Sequence, residues 1–290
     1  TILQGDWSSD VCSSDLGGSG PNGRRWVEDP ARKDGKAWIG TTGLAVMAGA
    51  TLRSDDDLTG AWVRQVVASV DERGHVCGEM RVADATFECG PSSAYGQGQA
   101  MLALAVAERE LGDAAPGGTA EALDRTLSFL GSGAYVGSTA PVAVGDEHWM
   151  CLVAHAVSDV RPATDPGLVV AWRICDAYLR RTVRFDPKRD GQRVPASSGG
   201  GVNEAILAFA WDSGEEVWRR RGLAYADVFL AHQFRPSDAG LLGGSTAMVG
   251  GFRNGMHELD VQIDTVQHVG SSLLSAVAVL RGAEAPGLLP

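Results

Sequence analysis

Three carboxylates stand beside polar groups: Glu147 next to His148, Glu204 next to Asn203, and Asp264 four residues before His268. Residues four apart share one helix face. An Asp–His pair so placed can serve as acid and base, as half of a metal site, or as a self-satisfied polar contact. An aspartate that opens a helix also accepts backbone N–H bonds and suits the helix dipole, which gives Asp264 a purely structural role as well. Two carboxylates that face each other suit glycoside hydrolysis, one as acid and one as base or nucleophile. Epimerisation needs a base and an acid on opposite faces of a sugar carbon, and His148, His268 and Tyr95 are residue types for that work. Glu147, Glu204, Asp264, His148 and His268 are therefore the catalytic candidates. Tyr95, Gln97, Trp149, Asn203, Arg253 and Gln267 are the candidates for holding a substrate. Trp149 offers a flat stacking surface, or equally a ring that packs a seam between helices. The run "GFRNGMHELDVQIDTVQH", 251–268, is the densest of these constellations.

The elements that must position these residues repeat along the chain. "KAWIGTTGLAVMAGATL" (36–52), "SAYGQGQAMLALAVAERELGD" (93–113), "DEHWMCLVAHAVSD" (146–159), "GVNEAILAFAWDSGE" (201–215) and "DTVQHVGSSLLSAVAVL" (264–280) each run from glycine and polar residues into an Ala/Leu/Val-rich helix, apolar on nearly all sides. Helices of that kind are buried. Between them the apolar spacing i, i+3, i+4, i+7 predicts helices covered on one side at about 57–71, 119–130, 166–181 and 215–232. The alternation predicts an all-α protein of about nine helices, with an inner and an outer ring. Strand signals are short, at "HVCGEMRV" and "GLLGGSTAMVGGF", and predict loop hairpins rather than a sheet.

This pattern resembles the (α/α) toroids, the helical barrels shared by six-hairpin glycosidases, sugar epimerases and the terpenoid cyclase and prenyltransferase group. "YGQGQAMLALAVAERELGD" is similar to their inner-helix pattern of an aromatic, a glycine and a small-residue helix ending in "GD". "WVRQVVASVDERGHV" resembles their outer-helix ending but lacks the Gln and Trp of the cyclase repeat. The resemblance covers most of 36–282 and implies a carbohydrate-active enzyme, a hydrolase or epimerase, acting on a saccharide in a central funnel lined by inner-helix ends. The alternatives are a cyclase- or prenyltransferase-like toroid with an apolar funnel, for which Trp38, Trp62, Phe87, Trp149, Phe209 and Trp211 supply aromatics, and a non-catalytic helical accessory domain of a longer protein. The "WCxG" and "CHG" strings of the zinc-dependent toroids are absent, so no metal or other cofactor is expected. A closed ring has about a dozen helices, and the remainder are expected upstream of residue 17.

The reason for that expectation is "DWSSDVCSSDL", 6–16, which matches the translation of a common short-read sequencing adapter without a mismatch, so that 1–16 is read as a disordered, non-protein segment. A Gly-rich leading loop over 17–35 and a partial toroid over 36–290 complete the expected organisation. The formal charge is −11, or −8 without Asp6, Asp10 and Asp15. So acidic a chain lacks the basic surface that nucleic acids require. No apolar run reaches the length of a membrane span. A saccharide or other small molecule is the expected partner, with association through exposed inner-helix surface. Cys77 and Cys89 can pair or ligate a metal, whereas Cys151 and Cys175, in helical runs, are expected as buried free thiols.

Overall fold

The structure, a computed structural model, describes residues 17–28, 34–53, 56–90, 94–132, 148–182, 195–240, 246–255, 257, 259 and 261–282. The adapter-like segment lies outside them. The described residues form nine α-helices and five three-residue strands, an all-α protein. The helices are α1 (Ile39–Leu52), α2 (Asp56–Ala68), α3 (Ala94–Leu111), α4 (Thr119–Gly131), α5 (Trp149–Ser158), α6 (Pro166–Thr182), α7 (Ala196–Ser213), α8 (Glu216–His232) and α9 (Ile263–Arg281). The chain divides into two compact units, one ending at Cys175 and the other beginning at Asp176, within α6.

In the N-terminal unit the leading loop is a hairpin. Strand β1 (Gly17–Ser19) pairs antiparallel with β2 (Arg25–Val27), and the turn is built on Asn22 and Gly23, at φ 60° and 66°. Asn-Gly is the pair that tolerates such angles. Gly18 and Gly20 have no Cβ to obstruct the Trp26 ring, which is 2 % exposed above them. Strands β3 (Lys36–Trp38), β4 (Glu79–Arg81) and β5 (Thr86–Glu88) form a second antiparallel sheet in that order. Lys36–Trp38 thus precede α1 as a strand rather than opening it, with the Lys36 ammonium 2.9 Å from Glu79 and 2.6 Å from Glu88.

Burial follows the predicted alternation in α3, α4 and α5 but not in α9, which is expected to be buried on nearly all sides and instead exposes Val266, Leu274, Val277 and Leu280. Every residue of α5 from Trp149 to Val157 is buried, and so is Ala100–Ala107 of α3. In α4 only Thr119, Ala122, Leu123, Thr126, Leu127 and Leu130 are buried, the spacing of one face. Helix α1 approaches α3 through glycine: a Cβ on Gly43 would lie 3.0 Å from the Gln99 carbonyl oxygen. Arg161 fastens the outer surface of this unit. Its guanidinium donates to both Glu108 oxygens at 2.7 and 2.6 Å and to Asp124 at 2.5 Å. Burial pushes against its charge, but these carboxylate hydrogen bonds prevail and hold the guanidinium above its ordinary pKa. Asp165 caps α6 by accepting the Leu168 N–H at 2.8 Å, with Pro166 first in the helix.

Two disulfides lie in this unit. Cys77 pairs with Cys89, and Cys151 of α5 pairs with Cys175 of α6 with Cα atoms 4.7 Å apart. The second corrects the expectation of buried free thiols: both are fully buried as expected, but helical periodicity does not reveal that two of them face each other.

In the C-terminal unit α7, α8 and α9 pack together through Leu207, Ala226 and Ala276. Helix α7 begins at Ala196, earlier than the periodicity predicts, and includes the run "ASSGGG". Asn254 supplies the reason. Its carbonyl accepts the Ala196 N–H at 2.7 Å, and its side-chain oxygen accepts the Ser197 N–H and hydroxyl at 3.0 and 2.9 Å. The helix start is capped from 57 residues away in sequence. The hairpin expected around "GLLGGSTAMVGGF" falls partly outside the described residues. Its described part is a turn with a single bridge, Gln233 to Phe252.

Candidate functional site

Residues Gly200, Asn203, Glu204 and Leu207 recur at the spacing of one α7 face, and His268, Ser271, Ser272 and Ser275 at that of one α9 face. Gly200 sets how closely the two faces meet: a Cβ there would lie 2.8 Å from both the carbonyl carbon and the Cβ of His268. The close approach brings the polar groups into register. The Ser271 hydroxyl donates to Glu204 Oε1 at 2.5 Å, and His268 Nδ1 lies 3.1 Å from Glu204 Oε2. Both side chains of the Glu–His pair are nearly withdrawn from water, at 3 % and 5 % exposure. Beside them the Asn203 amide donates to the Ser272 hydroxyl at 2.6 Å.

The chemistry of the donors fixes the imidazole. With Glu204 as a carboxylate, which only accepts hydrogen bonds, Nδ1 carries the proton between them. Ser271 binds the carboxylate and not the imidazole, so the trio is not a nucleophilic serine relay, in which the hydroxyl donates to the histidine. It is a histidine held by a carboxylate that is itself held by a hydroxyl.

Of the sequence candidates, Glu204, Asn203 and His268 come together here. Helix α7 carries Asn203 and Glu204 more than a turn inside it, not at its start, because the helix opens at Ala196. Asp264 lies in the first turn of α9, and its side chain, like that of Tyr95, lies outside the described residues. Glu147 lies outside them too. Gln267 points to solvent. Arg253 serves the loop after α8: it donates to Asp238 at 3.0 Å and its guanidinium lies 4.4 Å from the Phe234 ring centre.

In the N-terminal unit His148 precedes α5 and stacks on Trp149, ring centres 4.3 Å apart. Trp149, at 2 % exposure, lies against Gly98 of α3, where any Cβ would overlap its ring. The indole packs the α3–α5 seam. Gln97 is 1 % exposed, and neither of its amide atoms is hydrogen-bonded among the described residues. Ser271 and Ser272 are the site residues the candidate set omits. Their spacing of three and four from His268 is the signal that places them on its face.

Comparison with protein-family models, with curated proteins and with solved structures finds no match. Among the described residues no helix is long and apolar enough to cross a membrane.

Proposed function

We propose that this chain is part of a carbohydrate-active enzyme of the (α/α)-toroid kind, in which His268, held by Glu204, is the acid–base group. The observation that carries the reading is the buried Ser271–Glu204–His268 chain on α7 and α9. A carboxylate on Nδ1 fixes the tautomer and stabilises the imidazolium formed when Nε2 accepts a proton. The alternation of buried and one-sided helices from α3 to α6 supports the ring architecture, and the resemblance to toroid glycosidases and epimerases supports the substrate class.

Within that class the epimerase form fits this dyad better than the hydrolase form. Hydrolysis relies on two carboxylates flanking the bond to be cut, whereas the carboxylate described here is engaged by a serine and a histidine. In the epimerase form Nε2 takes a proton from the carbon next to a sugar carbonyl, negative charge passes to the carbonyl oxygen, and an acid on the opposite face returns a proton to the carbon. Incubation of the whole chain in D2O with a panel of reducing sugars, followed by proton NMR, tests this. Deuterium should enter at the carbon next to the carbonyl, and His268→Gln should slow that entry by about 100-fold or more. Absence of exchange on every sugar, or equal exchange by the variant, would overturn the proposal.

A further inference from the structure

The loop that follows α2 holds a second constellation, in the N-terminal unit. Val70 and Val76 form an antiparallel bridge, and Asp71 closes the loop between them. The Asp71 N–H donates to the His75 carbonyl at 2.9 Å, and one Asp71 carboxylate oxygen accepts the N–H groups of Arg73 and His75, both at 2.9 Å. Gly74, at φ +87°, passes so close to the Arg125 carbonyl that no side chain fits. The His75 backbone is therefore held on both sides, and its ring meets Phe129 edge-on at 5.9 Å. Cys77 follows on the far side of the bridge, its N–H bound to the Ser69 carbonyl at 2.9 Å, and Cys89 follows β5.

The ligand atoms of His75, Cys77 and Cys89 all lie within 4.8 Å of one another. A tetrahedral zinc ion bound at 2.0–2.3 Å separates its sulfur and nitrogen ligands by about 3.4–3.8 Å, so small side-chain shifts close the site. Cys77 is 2 % exposed while Cys89 faces solvent, so a reductant can reach one sulfur of the pair.

We infer that His75, Cys77 and Cys89 form a redox-gated site for a thiophilic divalent cation such as zinc: closed as the disulfide, and competent once the disulfide is reduced. In the first step a thiol reductant supplies two electrons and two protons. The Cys77–Cys89 bond breaks to two thiols, and two reductant thiols leave as their disulfide. The cation then displaces the two thiol protons, binds both thiolates and the neutral His75 imidazole, and takes water as its fourth ligand. The loop geometry gives the site its rigidity, because the His75 backbone is fixed before any metal arrives.

Cobalt(II), a spectroscopic substitute for zinc, tests the assignment on the full chain. The protein is titrated as isolated and after reduction by a phosphine, which takes up oxygen from water and leaves no competing thiol. A Cys151→Ser, Cys175→Ser background removes the other pair. Reduced protein should bind one cobalt per chain with thiolate-to-metal charge-transfer absorption, and oxidised protein none. Outer partners of metal ligands are worth about 10–100-fold in affinity, so loss of a direct ligand in His75→Gln should weaken binding by at least about 100-fold. Should that variant fail to fold by circular dichroism, Cys89→Ser, at an exposed position, decides in its place by losing the charge-transfer band. Equal cobalt uptake by oxidised protein, or unchanged binding by reduced His75→Gln or Cys89→Ser, would overturn the inference.

Discussion

Two helix seams use the same device for different ends. At the α3–α5 seam Gly98 makes room for the Trp149 ring. At the α7–α9 seam Gly200 makes room for His268. At Gly98 the missing Cβ leaves space for a ring, and at Gly200 for the His268 backbone carbonyl and Cβ, so that two helix backbones approach. The first seam spends that proximity on apolar burial, with Met101, Leu102, Met150 and Val153 fully buried on its two helices. The second brings a carboxylate, an imidazole and two serine hydroxyls into hydrogen-bonding distance. Close approach is thus a property of the fold, and chemistry depends on which residues occupy it.

The two seams should break differently. Trp149→Ala removes a buried ring and leaves a cavity, at a cost of about 3–5 kcal/mol, read as a lowered denaturation midpoint. Gly98→Ala and Gly200→Ala both insert a methyl where none fits and should each cost about 1–3 kcal/mol. Gly200→Ala should also shift the His268 ring resonances. Glu204→Leu removes the hydrogen bonds that Ser271 and His268 make to the carboxylate and should cost about 1–3 kcal/mol. Serine at Gly98, which adds a hydroxyl but not space, should be no milder than alanine there. Equal responses of both seams to every change would erase the distinction.

The smallest effect belongs to neither seam and serves as a control. The Thr86 hydroxyl, 2.6 Å from Asp84, holds that carboxyl below its ordinary pKa of 3.8. Its contribution to stability is present above that pH and is lost as pH falls through the lowered value. Asp84→Asn should flatten only this acid limb of the stability profile, and by little, because the group is exposed.

The helical skeleton was legible because it rests on local patterns. Predicted spans at 119–130, 166–181 and 215–232 differ from α4, α6 and α8 by a residue or so at either end, since one buried face writes its period into the sequence. The Asn22–Gly23 turn carried a signal too, although 17–35 reads as loop by its glycine content. The start of α7 was not legible. Three glycines argue against a helix locally, and the cap that offsets them, Asn254, is remote in sequence. The same holds for the Glu204–His268 pair. Each residue is recognisable as a candidate, but Asp264, one turn from His268 in sequence, is the partner that spacing suggests. The 64-residue separation of the actual pair is invisible to any local rule. Cys151 and Cys175 repeat the lesson.

The most direct measurement is the tautomer of His268 at neutral pH, read from the ¹⁵N shifts of its ring in the wild type and in Glu204→Gln. Nitrogen Nδ1 should be protonated in the wild type, with Nε2 as the exchanging site, and the variant should lose or scramble that preference. An Nε2–H tautomer in the wild type, or an imidazole indifferent to Glu204→Gln, would contradict the claim that the carboxylate sets up the histidine for acid–base work.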